Sequence, residues 1–398
     1  MANLPLTGIR VLDFTWVLAG PVATRILAAM GAEVIKVERK SGYIAPRTGI
    51  HGDLNRDKLS IALNMSAPGA IEIAHRLVRI SDLVIDNFSA RVMRQWQMDY
   101  ESLVKIKPDV VCLSMSGFGH TGPRAAYVSF GPTLQAFTGF TLNMADEHGR
   151  PAGFSYSYSD SAAGFTGAMA ALFGLWRQRQ TGQGQFIDFA QFEGLVSLVG
   201  PSLLDLTING RSQKPQGWRS QEAPAAPHGA YRCRARGDDD DRWLVIAAST
   251  PDQWRNLVRV MGSPDWAAQP LFATLYLRMR NHEELDAHIS RWAANQDAED
   301  AMAKLQQAGV PAGLAANAQD CCARDPQLAA RGFWPTISLP EGGQTQVCGI
   351  PFKMSHTPVG VRRCSPIAGE SNDYVFGELL GLSPAERAEL IEKKILWP

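Results

Sequence analysis

No stretch of this 398-residue chain holds the run of about 18 apolar residues that a bilayer-spanning helix needs. Met1-Ala-Asn-Leu-Pro-Leu-Thr-Gly lacks the basic and apolar regions of a secretory leader, so a cytoplasmic location is expected. Neither sign of charge is in excess: 39 Lys and Arg balance 39 Asp and Glu. That balance predicts no broad attraction to nucleic acid or an anionic membrane, although a few Arg on one rim would suffice for a phosphorylated small molecule. The six cysteines, at 112, 233, 321, 322, 348 and 364, include no CxxC pair and no zinc-like spacing with His. A resident metal is therefore not expected, and the compartment reads as reducing. The acidic run Asp238–Asp241 lacks the Gly and Glu of a calcium loop and reads as a solvated hairpin tip.

What is present is ordinary globular usage, 45% hydrophobic and 20% charged, in a chain long enough for two or more domains. Strand and helix patterns alternate through the first 115 residues. Ile9–Phe14, Glu33–Glu38, Asp82–Asp86 and Val110–Met115 read as strands, and Pro21–Met30, Ala67–Ile80 and Tyr100–Ile106 as helices. That order predicts an α/β fold with a doubly wound parallel sheet. It also invites a dinucleotide site, since Glu38 ends the second strand. The glycines argue against one: Leu18-Ala-Gly-Pro-Val-Ala-Thr supplies only Gly20 where a G-x-G-x-x-G turn needs three.

Beyond Ser116 the chain becomes rich in glycine, proline and aromatics, the texture of loops that line a site. Asp160 follows, in Tyr156-Ser-Tyr-Ser-Asp-Ser-Ala-Ala-Gly, ahead of a Thr181-Gly-Gln-Gly-Gln turn and of a helix predicted over Ser161–Arg179, whose small residues let backbone or a ligand come close to its first turns. Its carboxylate reads either as the N-cap of that helix or as a nucleophile. The free N–H groups of a first turn and the helix dipole would hold it ionised, and the same N–H groups would stabilise an adjacent oxyanion. Gln185–Ala190 reads as another strand, and a polar, Pro-rich crossing runs from Arg211 to Pro227. A second region follows, with strands at Gly229–Cys233 and Arg242–Ala247 and helices at Pro251–Met261, His282–Asn295 and Glu299–Ala308. Domains are expected at 1–210, 211–330 and 331–398, the last returning to the first.

Nine motifs occur together: Leu6-Thr-Gly-Ile-Arg-Val-Leu-Asp-Phe, Ala19-Gly-Pro, Gly31-Ala-Glu-Val-Ile-Lys-Val-Glu, Asn55-Arg-Asp-Lys, Asp86-Asn-Phe, Ser116-Gly-Phe-Gly-His-Thr-Gly-Pro, Ser159-Asp-Ser-Ala-Ala-Gly, Arg179-Gln-Thr-Gly-Gln-Gly-Gln and Pro366-Ile-Ala-Gly-Glu. In this order they resemble the family III CoA-transferases, the formyl-CoA and carnitine CoA-transferase type, over nearly the whole length. The resemblance implies a large α/β domain built from both chain ends and a smaller α+β domain from the middle. It also implies a homodimer of interlocked rings, with a paired hetero-subunit as the other arrangement. The aspartate matching Asp160 attacks an acyl-CoA thioester in such enzymes, and CoA thioesters are substrates, with no permanently bound cofactor. Carried over motif by motif, Val17, Ala19, Arg39, Leu63, Asn87, Phe88 and Arg94 are the expected CoA contacts.

This chain departs from its relatives at three positions. Gln95 stands where a basic residue is expected, with Arg94 one place earlier; Ser66 replaces a Lys; and Leu18 replaces a Gln beside the active site. An α-methylacyl-CoA racemase of the same fold would need a His as second base, yet the matching position holds Phe130, and His120 reads as a loop histidine. A catalytically silent CoA-binding subunit is the other alternative. Phe130–Phe140 and Phe154–Tyr158 read either as acyl-facing or as core, with Tyr156 and Tyr158 offering hydroxyls to a second carboxylate. The expected reaction moves CoA from succinyl-CoA or a similar donor to a dicarboxylate or aryl-dicarboxylate.

Overall fold

The computed structural model describes residues 4–39, 46–145, 148, 150–154, 156–212, 224–237 and 241–397. Two compact units emerge: Met1–Thr141 with Gly153–Gly200 and Ala329–Pro398, and Leu142–Ala152 with Pro201–Leu328. The chain thus passes between units near 200 and 328, and Leu142–Ala152 groups with the second. Most of the Arg211–Pro227 crossing, residues 213–223, lies outside the described residues, as do Asp238–Asp240 of the acidic tip.

The first unit is built on six parallel strands: β1 (Arg10–Asp13), β2 (Glu33–Glu38), β3 (Leu59–Ala62), β4 (Leu83–Asp86), β5 (Val111–Ser114) and β6 (Gln185–Asp188). They lie in the order β3-β2-β1-β4-β5-β6. A parallel sheet covered on both faces needs apolar residues in both phases of the strand, which Leu83-Val-Ile and Val111-Cys-Leu supply. Leu12, Ile35, Val84 and Cys112 face a core completed by the Ala70–Arg79 helix and by Val375, Phe376 and Leu396 from the chain end. Val11, Val34, Leu83, Ile85, Val111 and Leu113 face the Ala19–Ala29 and Tyr158–Thr181 helices.

Sequence patterning missed β3. Leu59-Ser-Ile-Ala is short, and its edge is sealed by residues some 300 positions away rather than by local propensity. Ser371 donates its N–H to Ser60 O, the Asn372 side chain accepts from Ala62 N, and Trp397 N bonds Ala62 O. Edge strands left open invite pairing with other chains, and the returning C-terminal segment covers this one.

The small residues of the Tyr158–Thr181 helix serve helix packing rather than ligand approach. A Cβ on Gly164 would sit 2.5 Å from Val22 Cβ and 2.9 Å from Ala19 O, and one on Gly167 would overlap Met115. The two helices touch at backbone distance. Gly182, with φ 69°, ends the second helix in the left-handed conformation that glycine adopts freely.

In the second unit, β7 (His228–Arg232), β8 (Trp243–Ala247) and β9 (Ala312–Leu314) form an antiparallel sheet in the order β7-β8-β9. Tyr231, Leu244 and Ile246 pack there against Trp254, Leu257, Leu285, Ile289 and Leu305 from three helices. An antiparallel hairpin in the first unit pairs β10 (Thr336–Ser338) with β11 (Gln344–Gln346). No helix among the described residues is long and apolar enough to cross a membrane.

Candidate active site

Parallel strands present all their carboxyl ends on one edge, and ligands of open α/β sheets sit outside that edge where the strand order reverses. Here the reversal lies between β1 and β4. Leu63 follows β3, Arg39 follows β2, Trp16–Ala19 follow β1, Asn87–Phe88 follow β4, Ser116 follows β5 and Gln191 follows β6. Residues distant in sequence thus line up along one edge in the spatial order of the strands.

The loop after β1 is held in a strained shape. Val17 has φ 62°, a left-handed conformation that a β-branched residue avoids. Asn87 fixes it from the neighbouring strand end, accepting from Trp16 N and donating to Trp16 O, both at 2.9 Å. From below, buried Asp13 accepts from Thr15 N at 2.8 Å and lies 3.3 Å from Lys58 Nζ. Strain of this kind costs about 1–3 kcal/mol and persists where the surroundings over-determine it.

Asp160 does not cap its helix from outside. Helix begins at Tyr158, Ser157 occupies the N-cap position, and Asp160 is the third helical residue. Ser157 Oγ donates to Asp160 Oδ2 at 2.5 Å. Burial pushes the Asp160 carboxyl above its usual value, and the Ser157 hydroxyl pulls only part of the way back. Gly131 lies directly against this carboxylate: a Cβ there would be 2.5 Å from Asp160 Oδ2 and would overlap Ser157 Oγ.

A cleft of about 230 Å³ opens beside Asp160. Its walls are mainly apolar, from Trp16, Leu18, Phe88, Phe118, Phe130 and Leu134, and Asp160 is the only carboxylate among its described lining residues. Of the sequence-predicted positions, Val17, Ala19, Asn87, Phe88 and Asp160 meet in this cleft. Arg39 and Arg94 do not line it; both are exposed on the first unit. Leu63 does not line it either: the whole residue is 1% exposed and its N–H donates to Glu38 O. Phe130, 54% exposed, turns its ring toward Trp16 at 6.5 Å. Tyr156 meets Ser161 through its hydroxyl, and Tyr158 packs against Phe140 and Phe154.

His120 is turned away from the cleft lining. Its Nε2 lies 2.8 Å from buried Ser114 Oγ, and its backbone N–H donates to the Asp188 carboxylate. Ser114 in turn donates to Asp86 Oδ1 at 3.2 Å, which also accepts from Phe88 N at 3.0 Å. Asp86 thus holds the turn that carries Asn87. Burial pushes its carboxyl up to about 7.

Sequence reasoning missed Ser116, Gln191, Gly131 and Ser157. The first two were findable as residues just beyond strand ends. The other two act through close approach, which no spacing reveals.

The profile of CoA-transferase family III matches residues 6–372. The chain is 31% identical over 402 residues to succinyl-CoA–D-citramalate CoA-transferase of Chloroflexus aurantiacus, with 98% of each covered. It is 29% identical over 391 residues to succinate–glutarate CoA-transferase of Agrobacterium fabrum, with 94% of this chain and 96% of the relative covered. A crystal structure of a CAIB/BAIF family protein from Brucella suis superposes with a TM-score of 0.83 at 28% identity, covering 95% of this chain and all of that one.

Two outcomes follow from this geometry. Gly131→Ala should displace the Asp160 carboxylate and lower turnover by about tenfold or more, as misplacement by ~1 Å does; near-wild-type turnover would contradict the close approach. Between about pH 4 and 7 folded Asp86 keeps a proton that the unfolded chain has lost, so its contribution to stability falls as pH rises through that window. Asn carries no such proton. Asp86→Asn should therefore gain on the wild type by a few kcal/mol from pH 4 to pH 8 in denaturant titrations; an offset equal at both pH values would contradict this.

Proposed function

The chain belongs to CoA-transferase family III and is an acyl-CoA:carboxylate CoA-transferase, and from that premise we propose that Asp160 carries the reaction as a covalent nucleophile. The observation behind this reading is the position of Asp160 as the one carboxylate among the described lining residues of an apolar cleft, next to a glycine that leaves room at its oxygens.

The steps balance without ATP. An Asp160 oxygen attacks the thioester carbonyl, the C–S bond breaks, and a mixed anhydride and CoA thiolate result. The thiolate attacks the Asp160 carbonyl carbon, releasing the donor's carboxylate and leaving an aspartyl-CoA thioester. The acceptor carboxylate attacks that thioester, and the thiolate, freed again, takes the new acyl group and restores Asp160. Bond energy stays in the enzyme throughout, provided water is kept from the anhydride. The apolar walls from Trp16, Phe118 and Phe130 supply that exclusion. The N–H groups of Tyr158, Ser159 and Ser161 in the first turn already donate to Tyr156 O, Gln135 Oε1 and Ser157 O, so the oxyanion donors expected of this helix start are not supplied by them.

Succinyl-CoA is the proposed donor and a dicarboxylate the proposed acceptor, the classes that the D-citramalate and glutarate relatives are named for. CoA runs along the sheet edge in this reading, touching Val17, Ala19, Asn87 and Phe88, with Arg39 and Arg94 meeting its phosphates. A cytoplasmic setting goes with it, supported by six cysteines of which none is in a disulfide among the described residues. Racemisation needs a second proton carrier beside the substrate, and no observation favours one: His120 is bonded at Ser114.

A second copy of the chain completes the proposal. Phe165, Met169, Phe173 and Trp176 recur on one face of the Tyr158–Thr181 helix, each about half exposed or more. A stripe of that kind marks an interface. Sedimentation should give a dimer that Trp176→Glu weakens; a monomeric wild type would overturn the dimer, and a partner of different mass would replace it with a paired subunit.

Asp160→Asn should lower CoA transfer by more than about a thousandfold while leaving the fold and CoA binding in place, since removing a covalent nucleophile forfeits the whole route. Retention of above about a tenth of the wild-type rate, a loss of only ~1.4 kcal/mol, would sink the assignment. Only the ionised carboxylate attacks, so kcat/KM should fall on the acid side. That limb should centre above 3.8, the usual aspartate value, because burial raises Asp160.

A further inference from the structure

Buried polar groups are satisfied in most folded proteins, and each one left without a partner costs about 1–3 kcal/mol. The Asp160 cleft contains two. Ser116 Oγ and Gln191 Oε1 are buried and meet no hydrogen-bonding group of the protein. Both residues line the cleft and are 4% and 6% exposed.

Their backbones fix them side by side. Gln191 N donates to Ser116 O at 3.1 Å, and the Gln191 side-chain amide donates through Nε2 to Met115 O at 2.9 Å. That second bond settles which end of the amide is which: a carbonyl oxygen requires the NH₂ group, so Oε1 is the end left over. An amide oxygen only accepts. It repels a carboxylate and calls for an O–H or N–H. The Ser116 hydroxyl, by contrast, donates to an acceptor oxygen. One donor and one acceptor on adjoining residues form the complement of an alcohol hydroxyl, whose single oxygen accepts one bond and donates another.

Resting on the CoA-transferase reading above, we propose that Ser116 and Gln191 select a 2-hydroxy acid as the CoA acceptor, its hydroxyl accepting from Ser116 and donating to Gln191 while the neighbouring carboxylate faces Asp160 in the same cleft. The stability forgone by two unsatisfied groups is recovered when that acid binds. A site built to bond a hydroxyl discriminates strongly against the analogue lacking it, because the protein's own polar atoms are then stranded. Apolar walls alone discriminate far less.

The test measures kcat/KM with succinyl-CoA as donor and matched acceptors: citramalate against 2-methylsuccinate, and 2-hydroxyglutarate against glutarate, each hydroxy acid as both enantiomers. Wild-type enzyme should favour one hydroxy enantiomer over its deoxy partner by about tenfold or more, and Ser116→Ala should reduce that ratio by about tenfold. Ser116→Ala breaks no bond within the protein, so its melting temperature should equal or exceed the wild type's. The proposal is overturned by a wild type without the preference, by no transfer to either hydroxy acid, or by a Ser116→Ala variant with an unaltered ratio. An equal loss on all acceptors also overturns it, since that would mark a bond to the pantetheine amide or a structural role. Failure of the wider reading looks different: the wild type would then form no covalent adduct from succinyl-CoA alone.

Discussion

The absence of a side chain at Gly164 is the constraint on which the site depends. It lets the Tyr158–Thr181 helix lie against Ala19–Ala29 at backbone distance. Both helices start at the carboxyl edge of the sheet, so their contact brings the first turn of one, with Asp160, to the first turn of the other, after Val17. A methyl group in that contact forces helices apart or side chains off their rotamers, at about 1–3 kcal/mol. Gly131 repeats the device at closer range, where its missing Cβ leaves space at the Asp160 carboxylate itself.

Around that contact the cleft is assembled at a cost in stability. Val17 is strained, Asp160 is desolvated, and Ser116 and Gln191 keep polar atoms unpaired. Each would be better off elsewhere in a protein selected for stability alone. Their concentration beside one carboxylate is the pattern of a site in which stability is traded for chemistry. Asn87 and Asp86 hold the arrangement in place through bonds to the backbone.

Much of the sheet was legible because its central strands are buried on both faces and therefore read as unbroken apolar runs. Glu33–Glu38 is a strand over the residues expected. β3 was invisible because it is short and its outer edge is sealed by Ser371, Asn372 and Trp397, and tertiary sealing leaves no local periodicity. Asp160 stood out through its neighbours, yet its place inside the helix rather than before it was decided by Ser157 taking the cap position. The small residues after it were legible as a close approach, but not what approached: it is the Ala19–Ala29 helix. Ser116 belonged to a motif without being singled out, since an unpaired hydroxyl becomes visible only when every neighbour has been placed.

Covalent attachment at Asp160 is the claim from which the rest follows, and trapping measures it most directly. The enzyme would be incubated with succinyl-CoA and hydroxylamine without acceptor, digested, and analysed by peptide mass spectrometry. The account predicts a hydroxamate on the peptide containing Asp160, dependent on acyl-CoA and absent from Asp160→Asn. Modification of a different residue, or full transfer activity with Asp160 never modified, would contradict it.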